Sequence, residues 1–442
     1  MSVVTDPHAA TVKAAQAMLS RIPLATFGQA AAISRLQQLG INYDTDIRPL
    51  FGNQLLLGVT GSNLSGASTA GRFLAAWVTK SAGTLSTLIK KLHLVRSGSH
   101  DGATLYQVSA LTLAVDGATL VAGGSAATVS AALDRHSSGG GMSMADYDRD
   151  LGDLPTHALM DAVGNLSGLL SSPSAAKARS VPWVAALRGY GVAISASQHG
   201  LTLQYNLDTS GSQLTSAELP IAPGSSPPGL AGNLPIQFGL RQPAAIIRFA
   251  LDAERRSSPS RYAADIARMN RVLARRGGIS FQRDLLGQIG SSAAVESSGH
   301  GYIVRVDVVN PAAAARTLRR LGPAALSVFG SKAKVTAGPG GFEAAHPAHG
   351  PTVLFGIVGS EFVAGTGSPA QLDAFASAPA AAAPGAQGAA AFRVALPELL
   401  SLALRHAPSS AVQQVLNSLG DITGWLASSP SGLSGSATLA LK

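Results

Sequence analysis

Cysteine is missing from all 442 residues. The chain therefore has no disulfide, no thiol nucleophile, no thiolate ligand for a metal and no cysteine to carry a lipid. Aromatic residues are scarce, at 5%, so the interior has to be filled with Ala, Val, Leu and Ile, and few rings are left to stack on bases. Charge is scarce too. Only 13% of residues are charged, against roughly 25% in ordinary soluble chains. The net charge of +9 thus comes from few acids, 24, as much as from many bases, 33. The arginines are scattered along the sequence, which argues against a nucleic-acid partner. The composition reads as a weakly charged surface with a slight positive excess, and contact with an anionic membrane surface or cell-wall polymer is the alternative to that reading. No apolar run reaches the ~18 residues needed to span a bilayer, and no charged segment followed by an apolar one opens the chain.

What is present is apolar content and repetition. At 46% hydrophobic the chain can bury a large core, and its length suits two or three domains. The segment "VDGATLVAGGSAATVSAAL" (Val115 to Leu133) aligns without gaps on "IVGSEFVAGTGSPAQLDAF" (Ile357 to Phe375). Within the second copy, Gly365-x-Gly367-x-x-Ala370 follows a strand pattern and opens a helix, the outline of a dinucleotide-binding turn. The first copy has Ser125 where the second has Gly367, so the glycine spacing is not kept while the strand, turn and helix are. No strand ending in an acid follows within the next ~20 residues, as a ribose-binding carboxylate would require. The pattern predicts a hairpin strand feeding a helix capped by Ser or Thr, and no nucleotide.

More of the chain repeats in the same order. "GINYDTDIRPLFG" resembles "GISFQRDLLG", each preceded by a helical pattern and followed by a short strand, "NQLLLGV" or "SSAAVES". A helix is expected next in each copy, over "ASTAGRFLAAWVTKSAGTLSTLIKKL" and "NPAAAARTLRRLGPAAL". Then come the hairpins, with turns at "SHDG" and "VDGA" in the first copy. "THALMDAVGNLSGLL" matches "AAAFRVALPELLSLAL", and each copy closes on alternating strands. The fold expected is α+β, a tandem duplication of a unit with helices packed on a mainly antiparallel sheet. Residues 1–212 form the first repeat, 213–232 a Ser/Pro/Gly-rich linker and 233–442 the second repeat. In the second repeat "NLPIQFGLRQPAAIIRFAL" gives a strand before Gln242-Pro243. In the first, only "MSVVT" precedes the matching Asp6-Pro7, so its first strand is missing or vestigial. A longer natural N-terminus, carrying a strand and an export signal or anchor, is the expectation.

Motifs for chemistry are thin. "DYDRDLGD" alternates Asp146, Asp148 and Asp150 as a calcium loop does, but Leu151 and His157 stand where such a loop needs Gly and a bidentate Glu. A short acidic helix is expected there. His346 and His349 lie three apart at a hairpin tip, short of the three or four ligands of a built metal site. Ser331-Lys-Ala-Lys334 fits S-x-x-K without its companion motifs. In "SRYAADIARMNRVLARR", Tyr262, Ile266, Met269 and Leu273 form one apolar stripe. The first copy keeps that stripe, at Ile33, Leu36 and Leu39, but not the arginines, so packing on the sheet is expected over adsorption to a membrane. No catalytic, cofactor-binding or metal residue is assigned.

Together the series "DIRPLFGNQLLLGV", "DGATLYQVSALTLAVDGATLVAGGSAATVSAALD" and "MSMADYDRDLGDLPTHALM" resembles the bacterial family called domain of unknown function 3352. The resemblance implies an exported protein held at the membrane by an N-terminal anchor or lipoprotein signal, and it brings no catalytic residues. The function expected is a non-catalytic, extracytoplasmic cell-envelope protein, a binding or scaffold module. A carrier of a lipid or other apolar ligand, and an enzyme whose site is assembled from distant residues, are the alternatives.

Overall fold

In the computed structural model the described residues are all except 22, 60–72, 210–212, 225–226, 276–277, 300, 322–333, 348, 383–384 and 404–409. The chain runs β1 (Ser2–Val3), α1 (Ala10–Leu19), α2 (Pro23–Gln38), β2 (Leu55–Val59), β3 (Phe73–Val78), α3 (Ala82–Lys91), β4 (Val95–His100), β5 (Ala103–Val108), β6 (Leu111–Asp116), β7 (Thr119–Gly123), α4 (Ala126–Ser137), α5 (Met144–Leu151), β8 (Met160–Asn165), α6 (Ser167–Leu170), α7 (Pro182–Ala186), β9 (Gly189–Ser197) and β10 (Gly200–Asp208). It continues with β11 (Gly229–Leu230), β12 (Ile236–Arg241), α8 (Pro243–Ser257), α9 (Pro259–Arg275), β13 (Ile289–Ser297), β14 (Tyr302–Val308), α10 (Pro311–Leu321), β15 (Lys334–Ala337), β16 (Glu343–His346), β17 (Val353–Val358), β18 (Glu361–Gly365), α11 (Pro369–Ser377), β19 (Ala381–Ala382), β20 (Ala390–Val394), α12 (Leu396–Ala403), α13 (Ser410–Ser418), β21 (Leu419–Ser429) and β22 (Gly432–Leu441). The fold is α+β, and every strand pairing among the described residues is antiparallel.

Twenty of these strands form one sheet. From its middle outward on one side the order is β10-β9-β8-β1-β2-β3-β7-β6-β5-β4. On the other side it is β22-β21-β20-β12-β13-β14-β18-β17-β16-β15. Taken in chain order, each strand of the first list has its counterpart at the same place in the second. The sides join where β10 pairs with β22, from Gly200 opposite Ala440 to Asp208 opposite Gly432. The join is self-complementary: Gly200 and Gly432 each follow the turn of their own hairpin, and each sits opposite the far end of the other strand. The central pair is Gln204 opposite Ser436. Leu441 N–H donates to His199 at 2.7 Å and closes one end; Thr209 N–H donates to Ser431 at 2.9 Å and closes the other.

Helices cover both faces of the outer strands. On one face α4 sets Val129 against Leu105, Ala114 and Val121, and α11 sets Leu372 and Phe375 against Ala294, Ile303, Leu354 and Val363. On the opposite face α3 places Leu85 and Ile89 over Trp77, Tyr106, Val115 and Leu120. The apolar stripe of α9 also packs inward. Leu273 is fully buried with Ile279 and Leu321, and Met269, Phe281 and Leu285 surround them. Near the join the helices cross over: α13, from the second half, lies against α2, and the 3-10 turn Ala178–Ser180, from the first half, lies against α8.

The first strand of the first half is a two-residue remnant, Ser2–Val3, that bridges β2 and β8. Two expectations need correction. The helix expected over 67–92 is a strand, β3, followed by the shorter helix α3; its residues 67–72 lie outside those described. "FLAAWV" carries no period that separates helix from strand, and its pairing with β2 and β7 decides the matter. In the second half, β14 likewise stands between "SSAAVES" and the helix. The stretch read as a linker does connect β10 to β12, yet it is packed: Leu219, Ile221, Ala222, Leu230 and Ala231 are buried, and Thr215 and Glu218 form a capping box.

Candidate functional site

The join is the feature from which a site can be built. In an antiparallel sheet directly opposed residues share a face, so β10 and β22 sort cleanly. One face carries Thr202, Gln204, Asn206, Ser434, Ser436 and Thr438. The other carries Leu201, Leu203, Tyr205, Leu207, Leu433, Gly435, Ala437 and Leu439. On the polar face a cleft of about 250 Å³ opens between Gln204, Ser436, Thr438, Thr423 and Trp425 on the strands and Gly385 to Gln387 on a loop. At its edge the Thr438 hydroxyl bonds that of Thr202 at 3.1 Å. A second polar cleft, about 310 Å³, lies farther along the same face between Arg149, Asp150, Asn165, Arg188 and Asp208. On the apolar face the central residue Leu203 is 39% exposed, although β10 has a partner strand on each side. Leu201, Tyr205, Leu207, Leu433, Ala437 and Leu439 are half-buried beside it.

The sequence motifs fall elsewhere. Gly365 ends β18 and Ser368 caps α11, with Gln371 completing the box. A Cβ on Gly365 would meet the carbonyl oxygen of Tyr302 at 2.5 Å, so this glycine serves strand packing. Asp146, Asp148 and Asp150 lie on a regular helix, α5, where Asp146 pairs with Arg149 at 2.8 Å. His346 is held between two hydroxyls, Thr336 at 3.0 Å and Thr352 at 3.1 Å, while His349 is exposed. Of Ser331 to Lys334 only Lys334 is among the described residues. No group of three or more His, Cys, Asp or Glu able to hold a metal occurs among the described residues, and no described helix is long and apolar enough to cross a membrane.

Two charged constellations were not visible to motif reading. Arg305 on β14 lies under α11 and donates from Nη1 to the carbonyls of Phe375 (2.8 Å), Ala376 (3.2 Å) and Ala378 (2.7 Å). Its guanidinium also sits 5.4 Å from the centre of the Phe375 ring. Two residues along the same strand face, Asp307 stands opposite Glu361 of β18. Burial pushes Asp307 up, but the hydroxyls of Ser291 (2.7 Å) and Ser292 (2.9 Å) and a hydrogen bond from Glu361 outweigh it, and Asp307 stays below the usual carboxylate range. Glu361 is pushed up to about 7, first by burial, then by the Asp307 charge and by the hydrogen bond to Asp307, against the pull of Arg305. Its Oε2 is closed to water and finds no donor. Below about pH 7 the pair is therefore a protonated Glu361 beside an ionised Asp307. Such a split suits acid–base chemistry, but neither carboxyl lines either cleft. The register places Val78 and Thr119 at these two positions in the first half. Comparing the aligned segments for charges present in one alone was the signal that could have found the pair.

The pair makes stability depend on pH. Glu361 binds its proton more tightly folded than unfolded, so its contribution is complete below its unfolded pKa near 4.5 and is lost as pH rises to about 7. The loss expected is about 1–2 kcal/mol, allowing for solvent screening. Asp307, being depressed, acts in the opposite sense and only below its ordinary range near 3.8. Urea midpoints at pH 5 and pH 8 should differ in the parent protein, and Glu361→Gln should remove most of the difference. An unchanged slope in that variant would exclude Glu361 as its source.

No protein-family model matches the chain, and no curated protein matches it. Among solved structures, similarity is found to TP0453 in several crystal forms. Crystal form I has a TM-score of 0.22 at 9% identity and covers 45% of this chain and 71% of that one. Crystal form III has a TM-score of 0.24 at 10% identity, with 47% and 76% covered. Similarity at that level carries no argument about fold or function.

Proposed function

We propose that the protein is a non-catalytic binding module of the cell envelope, working outside the cytoplasm, formed by tandem copying of one α+β unit. We further propose that its ligand is apolar and lies along the join between the copies. The observation that carries this reading is the strip of Leu201, Leu203, Tyr205 and Leu207 with Leu433, Ala437 and Leu439. A central strand ordinarily buries such side chains, and partial exposure of a contiguous apolar strip marks a binding surface. Leu203 is 39% exposed at its middle. The resemblance to domain of unknown function 3352 supports the compartment and the absence of catalysis.

A neutral fluorescent probe, N-phenyl-1-naphthylamine, tests the strip without involving charge. Saturable binding is expected, weakened about ten-fold or more in Leu203→Lys, since an ammonium in the strip must be desolvated for the probe to bind. Native mass spectra of the purified protein should show an apolar passenger that Leu203→Lys loses. Non-saturable probe binding, or binding indifferent to the substitution, would refute the assignment.

A further inference from the structure

The strongest charge asymmetry of the molecule lies on α9 and α10. Between Pro259 and Leu321 there are ten arginines against four acids. On α9, Arg261 and Arg268 are paired with Asp265. Arg271 and Arg275, one turn apart, are exposed and make no ion pair among the described residues, and the same holds for Arg316 and Arg319 of α10. Arg320 is exposed beside them and reaches Asp284 only through space. The two helices converge: Leu273 of α9 and Leu321 of α10 are buried in one cluster, with Arg271 and Arg275 two residues either side of Leu273 and Arg319 two before Leu321.

Folding does not account for this arrangement. Helix dipoles favour cations in the last turn, which covers Arg275 and Arg319. They do not favour Arg271 or Arg316, and like charges one turn apart, as in Arg271 with Arg275 and Arg316 with Arg320, destabilise a helix. The first half places α2 and α3 at the equivalent positions: α2 carries only Arg35 in its described helix, whereas α3 keeps two bases, Lys90 and Lys91, in its last turn. The architecture thus does not require Arg271, Arg275 or Arg316, which have no basic counterpart there.

We infer that the exposed arginines of α9 and α10 form a docking face for an anionic lipid surface. The partner is electrostatic in kind, because the apolar stripe of α9 is already spent on Leu273, Met269 and their neighbours, so nothing is left to insert. A nucleic acid fits less well, since Tyr262 and Phe281 are the only rings of α9 and the turn that follows, and both are turned partly inward. The choice of a lipid surface rests on the envelope reading above, but the face does not depend on the apolar strip.

The test is co-sedimentation with vesicles of phosphatidylcholine alone and of phosphatidylcholine with phosphatidylglycerol. Binding is expected only to the anionic vesicles, falling steeply as sodium chloride is raised. Changing Arg271, Arg275, Arg316 and Arg319 to Gln should weaken partition at least about 100-fold, each arginine being worth roughly five-fold near such a surface. The urea midpoint of this variant should hold or rise, because repulsion is relieved. Leu203→Lys should bind vesicles as the parent does, so loss of probe binding and loss of vesicle binding report on separate claims. Equal binding to both vesicle types, or an unaltered quadruple variant, overturns the inference. So does equal or tighter binding to duplex DNA at the same salt, which would point to a nucleic acid and away from the envelope reading.

Discussion

Gly200→Ala and Gly432→Ala should each cost about 2–5 kcal/mol, by overpacking and backbone strain together. The two glycines begin the strands that meet at the join, with φ of +153° and +158°. A Cβ on Gly200 would lie 2.0 Å from the Leu439 carbonyl oxygen, and one on Gly432 would lie 2.1 Å from that of Leu207. Neither oxygen can retreat, because both belong to the partner strand of the same ladder. Equal effects at the two positions are expected, since each stands where the other would after exchange of the halves. The double variant should separate β10 from β22 and leave two poorly soluble edges. Gly83→Ala is the matching control: Gly83 lies in α3 with nothing within 4 Å of its would-be Cβ, so alanine should add roughly 0.5–1 kcal/mol through helix propensity. Urea midpoints measure all four proteins. A loss below about 1 kcal/mol at Gly200 or Gly432 would mean that the strands are not so close.

Arg305→Ala should cost about 2–4 kcal/mol. The substitution takes the shared donor from the carbonyls of Phe375, Ala376 and Ala378 at the end of α11; Phe375 keeps the Ala378 N–H at 3.3 Å, and a carbonyl left unpaired in a half-buried site keeps its desolvation penalty. It also removes the cation from the Phe375 ring. Arg305→Lys should recover only part of this, because an ammonium cannot reproduce the planar guanidinium fork. A second readout separates loss of packing from loss of charge. The Arg305 charge pulls the Glu361 pKa down, so in Arg305→Ala the pH window of the Glu361 contribution should extend above pH 7, whereas Arg305→Lys should leave it near its place. If Arg305→Ala left both the midpoint and the pH dependence unchanged, the three hydrogen bonds would have no energetic weight.

Local sequence carried a good part of the architecture. "GLTLQYNLD" and "GLSGSATLAL" alternate with period two, which is enough to say that each is a strand and which residues share a face. The capped turn after "FVAG" was legible because Ser368 and Gln371 stand at the spacing of a capping box. The inward packing of α9 was legible because its apolar stripe keeps period 3.6 while its arginines have no counterpart in the matching stretch of the first half. Two strands, β3 and β14, were not placed: "FLAAWV" lacks a decisive period, and "YIVRVDV" lies between two segments already matched to each other.

By itself, then, the amino-acid order determined that thiol and disulfide chemistry is closed to this protein, through the missing cysteine, and which residues share a face in the strands whose period is clear. Only the tertiary structure decided which strand lies beside which. Periodicity specifies a face and is silent about neighbours, because pairing is settled by contacts between residues more than two hundred positions apart, as between Gly200 and Ala440. The meeting of Asp307 with Glu361 and the half-open apolar strip at the join are consequences of that pairing, and no local pattern contains either.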